Sequence, residues 1–294
     1  MRRVLLLAFA AALAAPAARA QLVFEAVRGA DTLLLVGSIH ALPRDSSALG
    51  PFLEAAAARA TAFAFEVDFD EPNRMDEVLA SRTYLPPGKT LWPLLPDSTR
   101  RRLREALPAP FHAEAATLRP WRVADLVRAQ APDHAPNYDL EWGVDNTLYR
   151  LAKRHHRPVF GLETVKFQMD SFAQMTHDEE VAYLNAALGA PALDIPEVTR
   201  LWRTGDLAAF EAYVLAPARW SAGARERLLD RRNAAWIPRL EALAAGQRLV
   251  AVVGAAHVVG DMGVPALLRA RGFTVRLLPE AVAPSPLRTP EKKR

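Results

Sequence analysis

The sequence contains no cysteine. Disulfide bonds, cysteine nucleophiles and thiolate metal ligands are therefore excluded, and any metal or catalytic site has to use other side chains. Three common motifs are also absent: the Gly-x-Ser-x-Gly turn of serine hydrolases, the glycine-rich phosphate loop, and the His-Glu-x-x-His helix of zinc peptidases. These absences disfavour a serine hydrolase, a nucleotide-binding enzyme and a standard zinc peptidase.

A strong excess of charge is lacking as well. The chain has 37 lysines and arginines against 33 aspartates and glutamates, which gives a formal net charge of +4. Three of these arginines lie within residues 1–20, and without that segment the net charge falls to +1. Because so small a charge offers no electrostatic footprint for nucleic acid, we predict that nucleic acid is not a partner.

Long apolar runs are scarce, and the one near the start of the chain has a specific pattern. Arg2 and Arg3 precede the apolar residues 4–15, and Ala18-Arg19-Ala20 has the small-x-small form of a cleavage site. We interpret residues 1–20 as a signal peptide that is removed before Gln21. No later run reaches about 18 apolar residues, so we expect a periplasmic or secreted protein without a stable membrane span.

Four short apolar segments are predicted to be buried β-strands: residues 32–36, 62–67, 158–162 and 249–253. Long stretches of helical character separate them. The sequence therefore predicts an α/β fold in which helices cover a central mixed β-sheet. We assign residues 21–280 to one domain and the proline-rich, basic residues 281–294 to a disordered tail.

Two segments of the chain resemble each other. Residues 33–40 and 250–257 each consist of an apolar strand that ends at Gly-x-x-His, with Gly37 before His40 and Gly254 before His257. A glycine at such a position lets another backbone or a substrate approach closely. Since each copy continues into a helical segment and a further strand, we predict two related strand-Gly-x-x-His-helix-strand units, joined by a helical insertion.

Side chains that bind metals follow the four predicted strands. His40 and His257 follow the first and the last, Glu66 with Asp68 follows the second, and Glu163 follows the third. In open α/β sheets, ligands bind beyond the carboxyl ends of the strands. Neutral imidazoles and carboxylates are the ligands that a divalent metal needs, so the pattern predicts a metal site at this edge.

Three ordered blocks of residues also resemble a known family. They are Gly37-Ser38-Ile39-His40 with Pro43, Phe65 and Glu66; Trp142-Gly143-Val144-Asp145 with Leu148, residues 158–164 and Gln168; and Arg232, Asn233 and Trp236 with residues 253–257, Gly260 and Gly263. This set resembles the TraB/GumN family and covers nearly all of the chain after residue 20. The resemblance implies a fold shared with the Tiki metalloproteases, the erythromycin esterases and the ChaN-like haem-binding lipoproteins.

In the Tiki proteins, the two Gly-x-x-His motifs and acidic residues are associated with metal-dependent peptide cleavage. His40 and His257 match the motif positions, Glu66 matches the acidic position, and Glu163 matches a glutamate typical of the TraB/GumN branch. The resemblance thus implies a metal-dependent hydrolase of a peptide, or of another amide or ester. His40, His257 and Glu66 would hold manganese, cobalt or zinc, and Glu66 or Glu163 would act in catalysis as the general base or a further ligand.

Other interpretations compete with this one. The same scaffold could bind haem, a peptide or a glycan without turnover, since fold alone does not decide function. Each histidine could be a buried residue satisfied by backbone groups, and Glu163 could form a salt bridge with an arginine. His155 and His156 lie at the predicted end of a helix, where cationic side chains suit the helix dipole, and are not expected to bind metal.

Overall fold

The computed structural model describes residues 21–44, 49–70, 75–130, 138–189, 194–221 and 223–278. The predicted signal peptide and the predicted disordered tail lie outside these residues.

A mixed six-stranded sheet forms the centre of the fold. Its strands are, in chain order, β1 Val23–Arg28, β2 Asp31–Ser38, β4 Ala62–Phe65, β6 Val159–Gly161, β7 Arg248–Gly254 and β8 Thr274–Leu277; β3 Leu42–Pro43 and β5 Tyr138–Asp139 form a separate antiparallel pair. The spatial order is β6-β4-β7-β2-β1-β8. Neighbours from β6 to β2 are parallel, whereas β1 is antiparallel to both β2 and β8.

Twelve α-helices in the described part of the chain accompany the sheet. They are α1 Pro51–Arg59, α2 Met75–Thr83, α3 Asp97–Ala106, α4 His112–Ala115, α5 Pro120–Ala129, α6 Val144–Arg154, α7 Val165–Ala173, α8 His177–Gly189, α9 Ile195–Thr204, α10 Leu207–Val214, α11 Arg231–Ala244 and α12 Val264–Ala270. Helix α6 packs on α1 and β4, while α11 packs on α12, β7 and β2. The α/β fold that the sequence predicts is confirmed.

The four predicted strands all form within a few residues of their expected bounds. The central strand β7 is buried along residues 249–254 because parallel neighbours flank it on both edges, which explains its continuous apolar run. Helix α8 begins with a capping box, for which Thr176 and Glu179 have the typical spacing: the Thr176 hydroxyl accepts from the Glu179 amide at 3.2 Å, and the Glu179 carboxylate accepts from the Thr176 amide at 2.7 Å.

The two predicted strand-helix-strand units occupy the same sheet but differ in topology. From β2, the chain passes through α1 to β4, on the far side of β7. From β7, it passes through α12 to β8, at the opposite edge of the sheet beside β1. One strand, β7, separates the two strands of the first unit, whereas two strands, β2 and β1, separate those of the second. That the two units are related to each other stays a prediction.

Two apolar clusters hold the described residues together. The larger surrounds the sheet and includes side chains of α6, α9, α11 and α12. The smaller lies among helices α3, α5 and α8, with Trp121 and Leu184 at its centre. Among the described residues, no helix is both long and apolar enough to cross a membrane.

Candidate functional site

The parallel strands bring four predicted residues to one edge of the sheet. His40 lies two residues beyond β2, Glu66 directly after β4, Glu163 two residues beyond β6, and His257 in a 3₁₀ turn, Ala255–Val258, after β7. Because these strands are parallel and adjacent, their carboxyl ends meet at this edge. Residues that are 217 positions apart in the sequence, such as His40 and His257, consequently line the same cavity.

His40 is the accessible imidazole of the site, with 57% of its side chain exposed. Its Nδ1 atom lies 3.0 Å from a carboxylate oxygen of Asp145, in the first turn of α6. Burial of the remaining part of the ring opposes protonation, but the hydrogen bond and charge of Asp145, together with the charge of Glu66, raise the pKa of His40 to about 9. His40 is therefore protonated at neutral pH and presents Nε2 to the cavity.

The start of α6 fixes the backbone that carries His40. The Val144 amide donates to the Ile39 carbonyl at 3.0 Å, and Gly143 lies directly against the His40 carbonyl. A β-carbon on Gly143 would overlap that carbonyl and would come within 2.9 Å of the Asp145 carboxylate. Only glycine therefore permits this approach, which aligns Asp145 with the imidazole.

Glu66 is surrounded by hydrogen-bond donors. Its Oε1 atom accepts from the Gly254 amide at 2.7 Å, and its Oε2 atom accepts from Gln168 at 3.1 Å and from Arg232 at 2.6 Å. Burial opposes ionisation, but His257, Arg232, His40 and the Gly254 amide outweigh it and lower the pKa of Glu66 to about 2. Glu66 is therefore a carboxylate over the whole physiological pH range.

Arg232, the second residue of α11, lies at the centre of the charged groups. Its guanidinium donates to Glu163 from Nε at 3.0 Å and from Nη2 at 2.6 Å, and to Glu66 from Nη2 at 2.6 Å. Burial opposes its charge, but Glu66 and Glu163 raise the pKa of Arg232. The side chains of Arg232 and Glu163 are only 7% and 3% exposed. The salt bridge that was one interpretation of Glu163 is thus present, and the Trp236 indole also donates to Glu163 at 2.8 Å.

The hydrogen bonds of His257 define its tautomer. Arg232 Nη1 lies 3.2 Å from Nε2, and because a guanidinium can only donate, Nε2 has to be the unprotonated acceptor. Asn233 donates its own amide to the Met262 carbonyl, so its oxygen is left to accept from Nδ1 of His257 at 2.6 Å. Burial, with Arg232 and His40, lowers the pKa of His257 to about 3 despite Glu66. The ring is neutral and fixed.

The two motif glycines allow close approach in different places. A β-carbon on Gly254 would lie 3.2 Å from both the Glu66 carboxylate and the His40 Nε2 atom, and 3.6 Å from the His257 ring. This point therefore marks where the three side chains converge. A β-carbon on Gly37 would meet Val258 at 2.8 Å, within the core beneath the site.

The residues as arranged do not fit the predicted metal ion. In the described part of the chain, no three His, Cys, Asp or Glu side chains are placed to hold a metal. Two of the predicted ligand atoms, His257 Nε2 and Glu66 Oε2, are bound to the guanidinium of Arg232. Arg232 supplies the positive charge that a metal would supply, so we derive no chemical step through a metal.

A cavity of about 640 Å³ opens above these groups. Its floor consists of the polar residues at the sheet edge, which are His40, Glu66, Gln168, Arg232 and His257; the rest of its lining comes from the helical part of the chain. A smaller cavity of about 230 Å³ adjoins it and shares His40, Glu66 and Gln168. Glu163 lines neither of these two cavities. A volume near 640 Å³ suits a small organic molecule or a short stretch of peptide.

The comparison with known proteins agrees with these motifs. The model of the TraB/PrgY/gumN family matches residues 22–277. The chain belongs to this family. It is 28% identical over 152 residues to the uncharacterized protein YbaP of Escherichia coli (strain K12) and to that of Shigella flexneri, a match that covers 51% of this chain and 56% of each relative. The chain thus spans about half the length of these curated relatives. No solved structure gives a significant match.

Asp68 and the other described histidines lie away from the two cavities. His155 and His156 are exposed at the end of α6, as expected. Asp68 caps a turn by accepting from the Asp70 amide at 3.0 Å and lines neither cavity. His112 and His177 contact backbone carbonyls in the helical region. His134 lies outside the described residues.

Sequence reasoning assigned no role to several residues that complete the site. They are Gly143, Asp145, Gln168, Arg232, Asn233 and Trp236. All six stand within the blocks that resemble the TraB/GumN family, so the signal was present. The spacing of Arg232 and Trp236 by four residues also puts both on one face of a helix.

Proposed function

We propose that this protein is a hydrolase that cleaves an amide or ester bond, with His40 as general acid and Glu66 as general base. The observation that carries this proposal is the convergence of the His40 imidazole and the Glu66 carboxylate on one point above Gly254, 3.2 Å from each. Family membership provides the context, and the neighbouring residues provide the chemistry.

The assignment of acid and base follows from the opposite displacement of the two pKa values. The pKa of Glu66 is lowered to about 2 and that of His40 is raised to about 9, so between these limits one group can accept a proton and the other can donate one. Hydrolysis needs both, because water has to lose a proton as it attacks and the leaving group has to gain one.

Each remaining polar group has a supporting task in this scheme. Asp145 binds Nδ1 of His40, so that Nε2 is the atom that exchanges the proton. Arg232 lines the cavity and holds the Glu66 carboxylate in place through its Nη2 atom. Glu163 and Trp236 hold Arg232 in place from behind, which makes Glu163 a positioning residue and not the general base.

The metal-dependent form of the sequence hypothesis is not part of this proposal. The donor set of His40, Glu66 and His257 has suitable chemistry, but Arg232 occupies the position between Glu66 and His257. A resident metal would have to displace a guanidinium that five protein atoms hold through hydrogen bonds of 2.6–3.2 Å.

The test uses the purified protein with a peptide library read by mass spectrometry and with p-nitrophenyl esters. Turnover is expected, and His40→Gln and Glu66→Gln should each lower kcat by about 10²- to 10⁴-fold, the usual contribution of acid–base catalysis. His155→Gln serves as the matched control, because His155 is exposed and distant from the cavity, and it should leave kcat unchanged.

Two results would contradict the proposal. The first is the absence of turnover on every amide and ester, and the second is full activity in both site variants. A Soret band in the visible spectrum of the purified protein would instead favour the competing function, in which the cavity binds haem.

A further inference from the structure

The wall of the large cavity is mainly apolar, whereas its floor is polar and charged. Opposite the charged groups at the sheet edge, helices α2, α5 and α7, together with the residue that follows α2, contribute apolar and aromatic side chains: Leu79, Tyr84, Trp121, Met169 and Phe172. The cavity therefore has one reactive, charged side and one apolar side.

The apolar wall is partly uncovered and partly rigid. Leu79 is 36% exposed and Tyr84 is 52% exposed, so water meets large apolar side chains in the absence of a ligand. Trp121 behind them is 3% exposed, donates its indole proton to the Arg82 carbonyl at 3.1 Å and stacks on Phe172 with ring centroids 4.7 Å apart. The wall is thus a fixed apolar surface whose front is open to an occupant.

The charged groups beside this wall are paired with one another. Arg122 and Asp125 on α5 both line the cavity and lie 3.5 Å apart, and Arg128 also contacts Asp125 at 3.3 Å. The two arginines share one carboxylate, which leaves a net charge of +1 on these three residues. The side chains of the wall itself are uncharged, so a large apolar group is the occupant that the wall favours.

We infer that the α2–α5–α7 wall is a specificity subsite for a large apolar side chain of the substrate, on the residue that flanks the bond to be cleaved. The inference rests on the proposed hydrolase function, because the charged floor fixes where that bond lies. A peptide with phenylalanine or leucine at this position would place its side chain against Leu79 and Tyr84 and its backbone over His40 and Glu66.

The experiment compares paired substrates in paired variants. Chromogenic anilides of N-acetyl-phenylalanine and N-acetyl-alanine are assayed with the wild type, with Leu79→Asn, and with Leu94→Asn as control. Leu94 suits this purpose because it is 37% exposed but does not line the cavity. We expect kcat/KM for phenylalanine to exceed that for alanine by about 10- to 200-fold, the usual range for apolar pockets. Leu79→Asn should reduce that ratio, and Leu94→Asn should retain it.

A binding measurement separates this inference from the proposed hydrolysis. Calorimetry with N-acetyl-phenylalaninamide and N-acetyl-alaninamide reports the subsite without any turnover. Turnover with equal kcat/KM for the two anilides would overturn the subsite and leave the hydrolase intact. Tighter binding of the phenylalanine amide, weakened by Leu79→Asn in the absence of any turnover, would support the subsite and overturn the hydrolase. Equal binding of both amides without turnover would overturn both.

Discussion

Arg232 donates a hydrogen bond to the Nε2 atom of His257 across 3.2 Å. The same guanidinium binds Glu66 and Glu163, so one side chain satisfies an imidazole and two carboxylates that together would otherwise form a cation site. The charge balance of this site is therefore built into the chain. The sequence predicts a metal ion bound by His257 and Glu66, whereas in the structure an arginine binds both side chains.

Removal of Arg232 should open a metal site between His257 and Glu66. Arg232→Ala removes the donor to His257 Nε2 and the buried cation that Glu66 and Glu163 share, which should cost about 3–5 kcal/mol of stability without metal. Zinc, cobalt or manganese should restore about 2.7 kcal/mol at a hundredfold excess over the dissociation constant. Thermal melts should show this shift in Arg232→Ala and none in the wild type.

Arg231→Ala is the matched control for that experiment, because Arg231 is the neighbouring arginine, is 57% exposed and pairs only with Glu226 among the contacts described here. If Arg232→Ala does not fold alone, the double variant with Glu163→Gln removes one buried charge and can be melted instead. A metal-induced shift in the wild type that His40→Ala and His257→Ala abolish would restore the metal-ligand prediction and contradict the geometric argument.

The protonation of His40 should make its contribution to stability depend on pH. The folded pKa of His40 is raised to about 9, whereas an unfolded histidine titrates near about 6.5. The stabilisation is therefore fully present below about pH 6.5 and is lost as the pH rises through about 9. Urea unfolding of the wild type and His40→Gln should show a larger difference near pH 6 than near pH 10.

Asp145→Asn tests the cause of the same shift. Because Asp145 raises the pKa of His40 through both a hydrogen bond and its charge, the variant should lower that pKa in an NMR titration of the imidazole. An unchanged His40 pKa in Asp145→Asn would show that the contact between them does not control the protonation.

The two motif glycines should respond differently to the same small substitution. Gly254→Ala adds a methyl group 3.2 Å from His40 Nε2 and Glu66 Oε1, at the front of the site, so activity should fall while the melting temperature changes little. Gly37→Ala adds it 2.8 Å from Val258 in the core, where overpacking costs about 1–3 kcal/mol. Equal losses of stability in both variants would refute this division between site and core.

Export is a prediction from the sequence alone. We expect the mature protein, isolated from the periplasm or the medium, to begin at Gln21, because the charged start, apolar segment and Ala18-Arg19-Ala20 together have the form of a signal peptide. Mass spectrometry of the amino-terminal peptide checks this. An exported product that still carries Met1 would contradict it.

Local patterns in the sequence predict the parallel core of this fold. The apolar segments of β2, β4 and β7 are buried, and buried parallel strands have continuous apolar sequences. The half-buried edge strand β6 has a similar but shorter apolar segment. The capping box at Thr176 likewise depends only on residues within one turn. Strand β1, which lies between β2 and β8, had no such signal: it alternates apolar Phe24 with the buried, charged Glu25, whose partner Arg276 is distant in the sequence.

The sequence by itself determined which residues gather at the sheet edge, because His40, Glu66, Glu163 and His257 each follow directly from the end of a strand, and parallel strands end together. Only the tertiary structure decided what these residues do to one another. Arg232 and Asn233 come from a helix that packs across the sheet, and Asp145 comes from another, so no local spacing relates them to the histidines. Protonation states follow from those long-range contacts, since charge and burial act through space and not along the chain.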